Sequence, residues 1–318
     1  MKVWRRLLAA GVLTAMLFTL PGCGSGDVPA SSSGSSGAAS SAAVPEPEPV
    51  VVEPAYYHPL TGVGMDEDLS RLRPVAVMIN DLKAAQPQLG VSQADIIYEM
   101  PAEGGITRMV ALFQSLDGVG NLGSIRSTRA YYLELALGHD ALLVHAGGSP
   151  EAYKDIPAWG VDNMDGVNGG SDAKIFWRDA ERRKTKGYEH SLLTSGEKIQ
   201  EYLDQGHFRT EHKDGYAESL RFRDDGTPQG GTAAGKVSLR FSPYKTAVFD
   251  YDAASGKYLV SQFGEAYIDG NTGEQVGVTN VLTLKTRIRL ISGDTAGRMT
   301  ADLTSGGEGM YFCGGQGI

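Results

Sequence analysis

Residues 73–115 read RPVAVMINDLKAAQPQLGVSQADIIYEMPAEGGITRMVALFQS. Arg73–Asn80 is a short, continuous apolar run bounded by polar residues, the pattern of a buried strand. Ala94–Met100 (ADIIYEM) is a second run of this kind, and Thr107–Ser115 (TRMVALFQS) a third that returns after the turn PAEGG. Three strands this close together set up a sheet, and the next thirty residues decide its class.

Asn121–Pro150 reads NLGSIRSTRAYYLELALGHDALLVHAGGSP. TRAYYLELAL predicts a helix from Thr128 whose apolar face includes Ala130, Tyr131, Leu133 and Leu137, ended by Gly138. Ala141–Ala146 predicts another short strand. Further on, Thr194–Glu197 has capping-box spacing and opens a helix through Tyr202. Strands and helices mixed in this way predict an α/β or α+β N-terminal domain with a mixed sheet over residues 55–205. Beyond residue 205 the composition changes to VSLRFS, TAVFDYD, KYLVSQF, EAYID and TNVLTLKTRIRL, separated by turns such as ASGK and DGNTG. These predict a smaller, mainly antiparallel β domain over residues 206–318. The final YFCGGQGI shows no closing strand, so further strands are expected beyond it.

The first residues define a compartment. Lys2, Arg5 and Arg6 precede the apolar run Leu7–Leu20, which is too short to span a bilayer and fits a secretory signal over residues 1–22. Leu20–Cys23, LPGC, resembles the bacterial lipobox, with Pro21 unusual in its second slot. It implies cleavage before Cys23 and lipid on that cysteine, anchoring the chain to the outer face of the cytoplasmic membrane. Residues 23–54, rich in Ser, Gly, Ala and Pro, predict a disordered tether, stiffer at Pro45–Pro49. Cys313 is the other cysteine, so no intramolecular disulfide is expected once Cys23 carries lipid. Removing residues 1–22 takes away three positive charges and moves the formal net charge from −9 to −12. Such a chain is not expected to bind nucleic acid, and any anion site must be local.

The local candidate lies in GSIRSTR and HAGGSP. Ser127 is placed to cap the helix at Thr128, but Arg126 and Arg129 at a helix start oppose its dipole. Either a side chain such as Glu99 or Glu103 answers them, or an external phosphate, carboxylate or sulfate does. His145 is expected at the C-terminal end of a strand, where open α/β sheets hold ligands. Gly147 and Gly148 would admit a ligand to the backbone, while Ser149 and Pro150 suit a helix start. Ser124, Arg126, Ser127, Arg129, His145, Gly147, Gly148 and Ser149 are therefore the candidate ligand-binding residues. Glu99 and Glu103 offer a second reading, as acid and base of a hydrolase acting on glycan or phosphodiester linkages. No metal-ligand spacing or cofactor loop is recognisable: His207 and His212 are wrongly spaced, and Asp250–Gly256 departs from a calcium loop at Ala254 and Ser255.

The blocks at 73–115, GSIRSTRAYYLELA, HAGGSP, EHSLLTS, FDYD, YLVSQFGEAYID and TNVL resemble the YerB-like lipoproteins, a bacterial envelope family with two consecutive domains and no assigned biochemical activity. Asp81 and Ala130 stand where that family more often has Asn and Pro. The resemblance implies location and architecture and supplies no reaction. Two functions remain compatible with these residues: binding of an anionic cell-envelope ligand or an envelope protein partner, and the hydrolase reading.

Overall fold

The run Val75–Ile79 becomes the centre of a sheet in the computed structural model, which describes residues 53–318. The expected signal peptide, Cys23 and all but the last two residues of the tether lie outside the described residues. Strand β1 (Val75–Asn80) is buried along its whole length, as an apolar run with no polar face requires. Strands β2 (Ile96–Pro101) and β3 (Thr107–Phe113) form the expected hairpin; Gly104 and Gly105 supply the positive φ values, 69° and 77°, that its turn needs.

Strand β4 (Asn121–Gly123) leads to helix α1 (Ala130–Gly138). The helix starts two residues later than expected and buries Tyr131, Tyr132, Leu133 and Ala136. Tyr132 replaces Leu137 on the buried face because both tyrosine hydroxyls find carbonyls of β2: Tyr131 donates to Pro101 O at 3.0 Å and Tyr132 to Met100 O at 3.2 Å. Strand β5 (Leu142–His145) comes next, then helix α2 (Pro150–Trp159), capped by Ser149 and ended by Gly160 in the left-handed region. A strand with no clear signal in sequence, β6 (Asn163–Asp165), completes the main sheet. Its order is β2-β3-β1-β5-β6, antiparallel on one side of β1 and parallel on the other.

Strands β7 (Trp177–Arg178) and β8 (Leu192–Ser195) pair antiparallel, and β8 also pairs with β4. Helix α3 (Ala180–Lys186) lies between them, and α4 (Gly196–Asp204) follows β8. Ser195, one residue after the expected Thr194, caps α4 by accepting from Lys198 N.

The C-terminal region contains antiparallel strands only. β9 (Lys236–Arg240), β10 (Thr246–Asp252) and β11 (Lys257–Gln262) form one sheet; β12 (Asn280–Lys285) pairs with β13 (Glu308–Cys313) in another. At the chain end Gln316–Gly317 does form a short strand, pairing with Phe312–Cys313 and with Thr232–Ala233. The mixed α/β domain and the antiparallel β domain are thus both present.

Their junction is continuous. Val260, Tyr267 and Val276 join Val77, Ile79 and Met109 in one apolar core. Buried Asp269 accepts from the backbone of Gly90 (3.1 Å) and Ser92 (2.7 Å) and from the Ser92 hydroxyl (2.7 Å). Residues after α4 also return to the first domain, where Arg209 binds Asp140 and Arg73 N donates to Thr210 O.

Candidate functional site

The parallel strands β1, β5 and β6 end side by side at Asn80, His145 and Asp165. The chain leaves the end of β1 toward β2 on one side of the sheet and the end of β5 toward β6 on the other, so the gap between β1 and β5 is the switch point where open α/β sheets usually hold ligands. Here the chain fills that gap itself. Asn80 N donates to Ser124 O (2.9 Å), Arg126 N to Met78 O (3.0 Å), Ala146 N to Arg126 O (3.0 Å), Thr128 N to Gly147 O (2.9 Å) and Ser149 N to Thr128 O (3.2 Å). The segment 124–128 is therefore a wedge between the ends of β1 and β5, and the two candidate turns are hydrogen-bonded together.

The wedge separates the two arginines. Arg129 takes the cap position of α1 in extended backbone, without a side-chain cap; the expected cap at Ser127 does not form, since α1 begins beyond it. Its guanidinium forms a two-point pair with Glu103, through Nε to Oε1 and through Nη2 to Oε2 at 2.8 Å, and donates from Nη1 to Thr128 O at 2.6 Å. Arg108 Nη2 reaches the same Glu103 at 3.4 Å, while its Nη1 donates to Ser127 O at 3.0 Å. Burial pushes Glu103 up, but the bond from Arg129 and the charges of both arginines outweigh it and hold Glu103 below the ordinary carboxyl range. Burial first, and the Arg129 charge second, pull Arg108 down to about 10. Arg108 Nε is buried without a partner.

Arg126 points elsewhere. Its Nη1 lies 3.6 Å from Glu189 Oε2 and donates weakly to Glu189 O at 3.4 Å; the Glu189 side chain is 70% exposed and that of Arg126 19%. Beside it, Asn80 Nδ2 meets His190 Nδ1 at 3.0 Å. Burial and then the Arg126 charge lower the His190 pKa, which keeps the imidazole neutral at pH 7.

His145 is fully buried. Its Nδ1 lies 2.9 Å from Gly147 O and its Nε2 3.0 Å from Asn163 Oδ1, so both ring nitrogens are engaged inside the protein. Asp165 ties the second turn: it accepts from Gly147 N (2.7 Å), Val167 N (2.9 Å) and the Tyr153 hydroxyl (2.7 Å). Gly147 is required by its φ of +77°, and the face of Gly148 is covered by Thr128 and Tyr153. Ser149 caps α2, accepting from Ala152 N at 3.1 Å. Ser124 is buried, with no partner for its hydroxyl.

Glu99 and Glu103 are committed to different partners. Glu103 belongs to the arginines, and Glu99 lies 3.1 Å from Lys245 Nζ, a residue of the β domain with no motif around it to single it out. Asp81 accepts from Lys245 Nζ at 2.6 Å and from Thr107 Oγ1 at 2.7 Å. This arrangement offers no acid and base facing a shared groove. Two surface depressions of about 180 and 290 Å³ lie elsewhere, and none of the candidate residues lines them.

Comparison with known proteins agrees with this architecture. The N-terminal domain of a family described as a protein of unknown function (DUF3048) matches residues 60–209, and its C-terminal domain matches residues 237–318. Putative lipoprotein YerB of Bacillus subtilis (strain 168) is 33% identical over 256 residues, covering 80% of this chain and 74% of that protein. The crystal structure of YerB protein from Bacillus subtilis matches with a TM-score of 0.71 at 30% identity, over 83% of this chain and 85% of the other. With both domain models matched in order and the fold shared, this chain belongs to the DUF3048 family, together with the putative lipoprotein YerB.

Proposed function

We propose that the protein is an extracytoplasmic lipoprotein, held on the outer face of the bacterial cytoplasmic membrane by lipid on Cys23, and that it binds an anionic cell-envelope ligand at Arg126. The basic start, short apolar core and LPGC sequence support the anchor, as does the similarity to a putative lipoprotein. The observation that carries the ligand reading is charge. Arg108 and Arg129 share a single largely buried carboxylate, Glu103, while Arg126, whose charge also reaches Arg108, has among the described residues no buried carboxylate of its own. Glu189 is too exposed to offset the Arg126 charge by much. Arg126, at the rim, is the group left to meet an incoming phosphate or carboxylate, with Ser127 and the Asn80–His190 pair beside it. The test is titration of the full chain with inorganic phosphate and with anionic cell-wall fragments at low and high salt. Saturable, salt-sensitive binding is expected; its absence for every anion tried would end the reading.

A further inference from the structure

Among the described residues, Lys245 is the one buried cation of the β domain, and its partners belong to the other domain. It follows the turn Phe241–Tyr244, which docks on the β2–β3 turn: Ser242 Oγ donates to Gly105 O at 2.5 Å. From there the lysine runs inward to Asp81 and Glu99. The exposures of the three side chains are 1%, 0% and 14%. The Phe263 ring centroid lies 4.7 Å from Nζ, and burial and then the charges of both carboxyls push up the pKa of the Tyr267 hydroxyl. Asp81 Oδ1 has no hydrogen-bond partner, and Glu99 Oε1, although 3.1 Å from Nζ, is out of line for one.

Such a cluster is poorly suited to staying an ion pair. Burying an ammonium and a carboxylate together costs several kcal/mol per ion before their attraction offsets it, and unfilled acceptors reduce the return. The same surroundings suit condensation, because an apolar site favours neutral reactants and excludes the water that would reverse the reaction. A third group must handle protons. Burial, and then the Asp81 charge, push Glu99 up to about 8, so it holds a proton at neutral pH.

We infer that Lys245 and Asp81 join in an amide bond that locks the two domains together, with Glu99 as proton shuttle. The ammonium first gives a proton to the Asp81 carboxylate, leaving a neutral amine and a carboxylic acid. The Nζ lone pair adds to Cγ while the Glu99 carboxyl hydrogen-bonds the carbonyl oxygen. Glu99 then passes its proton to the departing hydroxyl as the Cγ–O bond breaks, and recovers one from Nζ. The products are one amide and one water, and Glu99 ends as it began. No oxidant, metal or co-reactant is needed. The proximity that makes a unimolecular attack fast is already built in, with Nζ 2.6 Å from Oδ2 of the carboxyl whose Cγ it attacks.

The test reads peptide masses. The full chain, isolated folded from the bacterium, is denatured and digested. The expected product is one branched species containing the Asp81 and Lys245 segments, lighter than their sum by one water. Recovery of both segments as ordinary linear peptides overturns the inference. Lys245→Arg keeps the positive charge but should give only linear peptides; a branched species in that variant would overturn the assignment of Lys245. Glu99→Gln should slow the appearance of the branched species after synthesis about 100-fold or more. Unchanged kinetics would overturn the proton-transfer step.

Discussion

Arg129 and Glu103 form a two-point ion pair, guanidinium edge to carboxylate, with both side chains largely buried. The anion demanded by a cation at the start of α1 is therefore internal for Arg129. Arg129→Ala should destabilise the protein by about 3 kcal/mol, toward the low end for a broken buried pair because Arg108 remains beside Glu103. Glu103→Ala, which strands two arginines, should cost more, about 5 kcal/mol. Chemical denaturation measures both, and a loss under about 1 kcal/mol in each would show that the pair is solvated.

Arg126→Ala should behave oppositely. Its carboxylate partner is exposed, so stability should change by less than about 1 kcal/mol, while phosphate binding should weaken about tenfold or more. Binding that survives Arg126→Ala unchanged would place the anion site elsewhere.

Glu99 makes stability depend on pH. Its folded value is about 8, against about 4.3 in the unfolded chain. The folded state therefore favours the protonated carboxyl, and this contribution is fully present below pH 4.3 and lost as pH rises to 8. Burial, the largest cause, acts whether or not Asp81 is in an amide. The Tm should fall by several degrees between pH 5 and pH 8, and Glu99→Gln should flatten that slope. A slope unaltered by the substitution would show that Glu99 titrates normally.

Ser149→Ala removes the cap of α2, leaving Ala152 N without its acceptor. A loss of about 1 kcal/mol is expected in denaturant unfolding. Because Ser149 N also bonds Thr128 O through the backbone, which the substitution keeps, Arg126 should hold its place and anion binding should be unaffected.

Cys23→Ser should release the protein from the membrane fraction and abolish labelling by a radiolabelled fatty acid. Continued labelling and membrane association would exclude lipidation at this position.

Local physics made most of the architecture legible. Val75–Ile79 could satisfy its apolar side chains only as a buried strand, Gly104 and Gly105 could close only a turn, and Ser149–Pro150 could open only a helix. The switch from mixed elements to strands alone, beyond residue 205, followed from periodicity. The turns around Arg126 and His145 were readable as near in sequence, and the hydrogen bonds that join them come from the fold. β6 was not readable, because its three residues have no period of their own and pair only because β5 offers a parallel edge. The buried place of Tyr132 on α1 was not legible either, because it depends on a distant apolar cluster around the ring and on Met100 O as acceptor for the hydroxyl.

The site was decided at longer range. Sequence order alone could name Arg126, Arg129, Glu99 and Glu103 but could not pair them, since the pairing depends on how β2 and β3 turn against α1. Only the fold assigns Glu103 to Arg129, leaves Arg126 at the rim and encloses His145 between Gly147 and Asn163. Lys245 shows the limit most plainly. In sequence it is a lysine in a polar turn, as expected for a solvated surface, and 164 residues separate it from Asp81. A charge is buried or exposed according to what the rest of the chain packs around it, and that packing is not encoded in its neighbours along the chain.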